Sequence, residues 1–106
     1  MFKNISFIGM AGCGKSTIGK ALSIEFSIKY ADTDLLIENE FNKSLEDIKQ
    51  NKGYKFVRMA EEKAILNLNK DFRIISTGGS AVYSKTAMSH LQSFTKIIYI
   101  STPLNI

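Results

Sequence analysis

The sequence predicts an α/β domain, a three-layer α/β/α sandwich on a parallel sheet, and three observations carry that expectation. Four short apolar runs alternate with segments of helical period, the order that lays strands side by side with helices on both faces. Two of those runs stop at glycines, Gly9 and Gly78, where backbone can turn tightly or approach a ligand closely. Length and composition admit one unit: 106 residues, 44% hydrophobic and 23% charged, suit a single domain over residues 1–106.

In chain order, residues 4–8 (Asn-Ile-Ser-Phe-Ile) read as a central strand, because a short apolar run without alternation suits burial on both faces. After a glycine-rich stretch, Ile18, Ala21, Leu22 and Phe26 recur at three- and four-residue spacing, which predicts a helix from Lys15 to about Phe26. Residues 28–31 read as a second strand, and a helix runs from Asp34 to about Phe41. Ser44 followed by Asp47 resembles a capping box opening a helix that ends near Gly53. The longest helix is expected from Tyr54 to Leu68, followed by a strand over 74–77 that Gly78-Gly79 breaks. Ser84 can cap a helix through Thr86, Met88 and Leu91, and 96–100 is the clearest late strand. Ser101-Thr102-Pro103 reads as a further helix start, with the chain stopping three residues later.

Several function classes are excluded on composition. The lone cysteine, Cys13, cannot form an internal disulfide, and the N-terminus lacks a signal-peptide pattern, so a cytoplasmic location is expected. No apolar run approaches the length that crosses a bilayer. Residues 1–53 hold seven basic and seven acidic side chains, so the whole net charge of +4 falls in 54–106. That excess is scattered and lacks interleaved aromatics, which fits small anionic ligands better than nucleic acid.

The strongest chemical signal is Gly9-Met10-Ala11-Gly12-Cys13-Gly14-Lys15-Ser16, which fits the phosphate-binding pattern of glycine, four residues, glycine, lysine and serine or threonine. Its glycines let backbone N–H groups turn inward around phosphates, and the following helix adds its positive end. Lys15 would set a cation against the β- and γ-phosphates of a nucleotide, and the Ser16 hydroxyl can ligate Mg²⁺. Cys13 suits a spacer position better than a reactive thiol. Asp32 and Asp34 follow the second strand, and because side chains alternate in extended backbone both carboxylates can point to the same side and share one site, one holding Mg²⁺ through water and the other orienting or deprotonating a hydroxyl; either could equally be a helix cap. Taken alone, Arg58 with Glu61 and Glu62 reads as an exposed helix face with short-range ion pairs. Gly78-Gly79 is either a tight turn or a close approach to a ligand, and His90 reads as a surface residue.

In sequence, the loop at 9–17, Asp32-Thr33-Asp34 with Ile37-Glu38 behind it, Arg58-x-x-Glu61-Glu62 and Thr77-Gly78-Gly79 resemble the shikimate kinase family, with matching order and spacing over residues 5–100. The resemblance implies a nucleoside-monophosphate-kinase-like P-loop NTPase fold, with about four of five strands present, and transfer of the ATP γ-phosphate to the 3-hydroxyl of shikimate. It further implies that Gly12, Cys13, Gly14, Lys15, Ser16 and Thr17 hold ATP phosphates, that Ser16 ligates Mg²⁺ and that Asp32 lies near the metal. Asp34 would bind shikimate and serve as candidate base, with Lys15 the other catalytic residue. Arg58 would pair with the shikimate carboxylate, since its planar fork can donate two parallel hydrogen bonds. Gly78 and Gly79 would meet substrate through backbone. A complete chain is expected to be a monomer acting on small molecules.

Three departures stand against the family pattern. Gly53-Tyr54 replaces the usual Gly-Glu, Ser80 replaces a third glycine, and the chain ends before the lid, the second substrate arginine, the fifth strand and the adenine-binding loop. A C-terminally truncated shikimate kinase sequence is therefore the leading expectation. The alternatives are a P-loop kinase of another small hydroxylated metabolite, or a catalytically silent nucleotide-binding protein.

Overall fold

The computed structural model describes residues 4–9 and 15–100. Its element order is β1 (Ile5–Gly9), α1 (Lys15–Phe26), β2 (Tyr30–Asp32), α2 (Thr33–Phe41), α3 (Leu45–Lys52), α4 (Tyr54–Leu66), β3 (Ile74–Ser76), a 3₁₀ turn (Ala81–Tyr83), α5 (Lys85–Phe94) and β4 (Lys96–Ile100). The four strands form one parallel sheet in the order β2-β3-β1-β4. Parallel neighbours need crossovers long enough to carry a helix, and every connection here contains one.

Side-chain alternation divides the sheet into two faces. Ile8, Ala31 and Ile75 point into a core closed by Ile65 and Leu68 from the α4 side and by Ala87 and Leu91 of α5. On the opposite face Gly19 of α1 comes against Tyr30 and Ser76. The expected three layers follow. A smaller cluster, Ile37, Ile48 and Val57, ties α2, α3 and α4 together away from the sheet. Two buried hydroxyls are paired: those of Ser6 and Thr95 share a 2.8 Å hydrogen bond, and Thr95 donates to the Leu91 carbonyl at 2.8 Å.

The helix starts follow their caps. Ser44 accepts from the Asp47 N–H at 3.2 Å and Ser84 from the Ala87 N–H at 3.0 Å, as the sequence predicts. Gly53 closes α3 and opens α4 with φ of 84°, a conformation that favours glycine.

Five expectations need correction. The second strand lies at 30–32 rather than 28–31: α1 ends in a left-handed Ser27 (φ 51°), and pairing of Tyr30, Ala31 and Asp32 with Ile74, Ile75 and Ser76 sets the register. The following helix starts one residue early, at Thr33, because Asp32 caps it. The long helix stops at Leu66, two residues short of Leu68, whose N–H bonds back to the Ile65 carbonyl in a tighter turn. His90 is half-buried, its Nε2–H donating to the Leu68 carbonyl at 2.7 Å and its ring meeting Phe94 edge-on. The strand expected over 74–77 ends at Ser76, although Thr77 N–H still reaches the Phe7 carbonyl. The helix start at Thr102-Pro103 lies outside the described residues.

These packing differences can be read in urea. Ile65 is fully enclosed, so Ile65→Ala is expected to lower unfolding free energy by about 2–5 kcal/mol. Ile24 is 71% exposed, and Ile24→Ala should change it by less than about 0.5 kcal/mol.

Candidate active site

The site is assembled where the β2–α2 junction, the loop after β3 and the α4 face converge. Asp32 is the last residue of β2, and its Oδ1 accepts from the Asp34 and Leu35 N–H groups at 3.0 and 3.3 Å. Its Oδ2 lies 3.4 Å from the Tyr30 hydroxyl. The cap reading of Asp32 is thus realised. Asp34 stands in the first turn of α2 rather than on extended backbone, so the alternation argument for pairing the two carboxylates does not apply.

Thr33, buried between them, accepts from the Gly78 N–H at 3.0 Å through its hydroxyl. Gly78 is itself buried, and a Cβ built on it would collide with Glu61 Oε1 and Asp34 Oδ1. The missing side chain at Gly78 is therefore a packing requirement.

Glu61 is 2% exposed, and its Oε2 is buried with no hydrogen-bond partner. Reading it as part of an exposed face fails: Val57, Glu61 and Ile65 form the buried stripe of α4. Burial pushes its carboxyl up from the usual 4.5 to about 7, assisted by the charges of Asp34 and Asp32 and opposed by hydrogen bonds from Thr33 and Gly78.

Above this floor lies a cavity of about 210 Å³ lined by Asp34, Arg58, Gly79, Ser80, Tyr54 and Tyr83, with Lys49 adding a second cation at its edge. Three of the residues singled out from sequence, Asp34, Arg58 and Gly79, thus line one cavity. Arg58 makes no ion pair or hydrogen bond among the described residues; its Cζ lies 5.1 Å and 4.5 Å from the ring centroids of Tyr54 and Tyr83. Tyr83 and Lys49 carried no sequence signal, because neither belongs to a motif. The buried role of Glu61 was readable from its four-residue spacing to Val57 and Ile65.

The phosphate-loop residues Gly12, Cys13 and Gly14 lie outside the described residues. Lys15, Ser16 and Thr17 form the first turn of α1, directly after the β1 connection; their side chains also lie outside the described part. Among the described residues no group of three or more His, Cys, Asp or Glu is arranged to hold a metal, and no helix is long and apolar enough to cross a membrane.

The raised Glu61 pKa gives a signed expectation. A folded-state pKa of about 7 against 4.5 unfolded means that the folded protein holds the proton more tightly. Stability contributed by this group is complete below about pH 4.5 and is lost as pH rises through 7. Glu61→Gln should remove that slope, worth on the order of 2–3 kcal/mol. Urea midpoints of both proteins at pH 5 and pH 8 check it, and parallel pH dependences would refute the assignment.

Comparison with known proteins places the chain in a family. A family model described as shikimate kinase matches residues 11–106. The shikimate kinase of Clostridium beijerinckii is 39% identical over 98% of this chain and 62% of its own length. That of Sulfurihydrogenibium sp. is 33% identical over 97% of this chain and 63% of its own. Among solved structures, the shikimate kinase from Acinetobacter baumannii in complex with shikimate superposes with a TM-score of 0.85 at 25% identity, covering 97% of this chain and 58% of that one. The Aquifex aeolicus shikimate kinase gives 0.82 at 28% identity, covering 95% and 61%. The chain therefore spans about 60% of the length of these relatives. With its parallel sheet, its P-loop sequence ahead of α1 and a family match over nearly all its residues, the chain belongs to the shikimate kinase family.

Proposed function

We propose that this chain forms the phosphate-binding and acceptor-binding part of an enzyme that transfers the γ-phosphate of ATP to the 3-hydroxyl of shikimate. The observation that carries the reading is the single cavity lined by Asp34, Arg58 and Gly79. It offers a carboxylate for hydroxyls, a guanidinium for a carboxylate and open backbone between them. The structure of the Acinetobacter baumannii relative is a complex with shikimate, and transfer of that acceptor to this chain rests on the family match.

In this mechanism Arg58 pairs with the acceptor carboxylate and so fixes the ring's orientation. Asp34 accepts the proton of the 3-hydroxyl as its oxygen attacks the γ-phosphorus, and the bond from that phosphorus to the β,γ-bridging oxygen breaks to release ADP. Lys15 and the backbone of Gly12, Cys13, Gly14, Ser16 and Thr17 would hold the phosphates, Lys15 countering charge that builds toward the leaving group. Gly78 serves by leaving room for Glu61 and Asp34, and Gly79 by presenting backbone to the acceptor. Hydroxyl and carboxylate oxygens at Ser16 and Asp32 suit Mg²⁺, with Asp32 acting through water because its Oδ1 already caps α2. When bound, that ion neutralises phosphate charge. The same reading takes the partners to be small molecules and the working form to be a cytoplasmic monomer.

A second acceptor class has one observation in its favour. Both departures from the family pattern that the chain contains, Tyr54 and Ser80, line the acceptor cavity itself. Another hydroxylated carboxylate could therefore be the better substrate.

ADP formation with shikimate and with a panel of hydroxylated carboxylates, using the protein as its gene encodes it, separates the two. We expect Asp34→Asn to lower kcat by about 10²–10⁴ and Arg58→Ala to raise the acceptor KM on the order of ten- to hundredfold. Neither should alter ATP affinity, whereas Lys15→Ala should weaken it severely in calorimetry. Wild-type turnover of shikimate in both acceptor-site variants would remove the assignment.

A further inference from the structure

Arg58 is an exposed arginine that meets aromatic rings instead of carboxylates. Tyr54 precedes it by one turn of α4, and Tyr83 reaches it from the 3₁₀ turn after β3, so two separate elements supply the rings. The centroid distances of 5.1 and 4.5 Å lie within the range where a guanidinium is attracted to a ring face. Both rings are themselves largely in solvent, 55% and 69% exposed, so neither position is explained by core packing.

What the rings do follows from the alternatives open to Arg58. Glu62 lies four residues on along α4, the spacing at which an arginine and a glutamate pair across a helix turn. Arg58 and Glu62 also line a second hollow beside the cavity, together with Met59, Ser80, Tyr83 and Ser84. Glu62 Oε2 instead accepts from the Ser84 hydroxyl at 2.7 Å. An ion pair with Glu62 would occupy guanidinium N–H donors. A ring face attracts the same cation through its π-cloud and leaves those donors unused.

We infer that Tyr54 and Tyr83 are positioning residues that hold the Arg58 guanidinium at the acceptor cavity with its N–H groups available to a planar carboxylate. The inference deepens the proposed function and rests on it for the identity of the acceptor, while the ring contacts themselves do not depend on it. Holding the fork in place lowers the ordering cost of binding, so the effect belongs in acceptor KM rather than in the chemical step.

The test compares a Tyr54→Leu/Tyr83→Leu protein with a Tyr54→Phe/Tyr83→Phe protein, both as the gene encodes them. Two readouts are used: the ¹⁵N heteronuclear NOE at Arg58 Nε, which reports side-chain order without any ligand, and steady-state kinetics with shikimate. In the leucine pair the NOE should fall to that of a freely moving arginine. Its shikimate KM should rise about tenfold, with kcat within about twofold and ATP KM unchanged. The phenylalanine pair should recover both, because it keeps the ring faces. An unchanged NOE or an unchanged shikimate KM in the leucine pair overturns the inference, as does a loss that the phenylalanine pair shares, which would assign the effect to the hydroxyls. A wild-type protein that fails to phosphorylate shikimate, yet loses Arg58 order in the leucine pair alone, refutes the proposed function and supports the ring contacts.

Discussion

The absence of a side chain at Gly78 is the constraint on which the site depends. Its N–H is fixed to the Thr33 hydroxyl, and the space a Cβ would need is already taken by Glu61 and Asp34. Three elements meet at that point: the start of α2, the middle of α4 and the loop leaving β3. Any larger residue there would have to push one of them outward, and each carries a wall of the acceptor cavity. The spacing of Asp34, Arg58 and Gly79 thus follows from a packing fact beneath them.

The two apolar clusters explain why the cavity lies where it does. The larger one joins the sheet to α5 and to the C-terminal part of α4, and the smaller one joins α2, α3 and the N-terminal part of α4. Helix α4 belongs to both, with Ile65 in the first and Val57 in the second. Glu61 sits between them on the same stripe, at the seam where apolar packing gives way to polar groups. A buried carboxylate at such a seam is costly when charged, which is why it retains its proton to about pH 7.

Much of this was legible in the sequence, for reasons that differ between elements. The strands β1 and β4 and the helices α1, α3 and α5 came out close to their bounds because each has a strong local signal: an apolar run, a helical stripe, or a serine cap. Strand β2 was misplaced because three residues carry little periodicity and their register is set by β3, far along the chain. The residues Asp34, Arg58 and Gly79 are legible through motif order, but their meeting in one cavity is a tertiary fact. Burial of Glu61 was overlooked because a charged pair at 61–62 resembles a solvated face, although its spacing to Val57 and Ile65 pointed inward. Half-burial of His90 had no local sign, since its partner is the carbonyl of Leu68, 22 residues away.

Under the proposed function, the cavity separates two demands that a phosphoryl acceptor site must meet. Recognition needs a cation exposed enough to reach an incoming carboxylate, and Arg58 is exposed. Activation needs a carboxylate held where solvent cannot dominate it, and Asp34 is half-buried beside Gly78, where Glu61 also comes. Ring faces hold the Arg58 cation by contacts that leave its N–H donors unused, and Asp34 is carried in the first turn of a helix capped by Asp32. On the proposed reading, recognition by Arg58 and proton transfer to Asp34 act on different ends of one small molecule, which is the division of labour that a hydroxylated carboxylate requires.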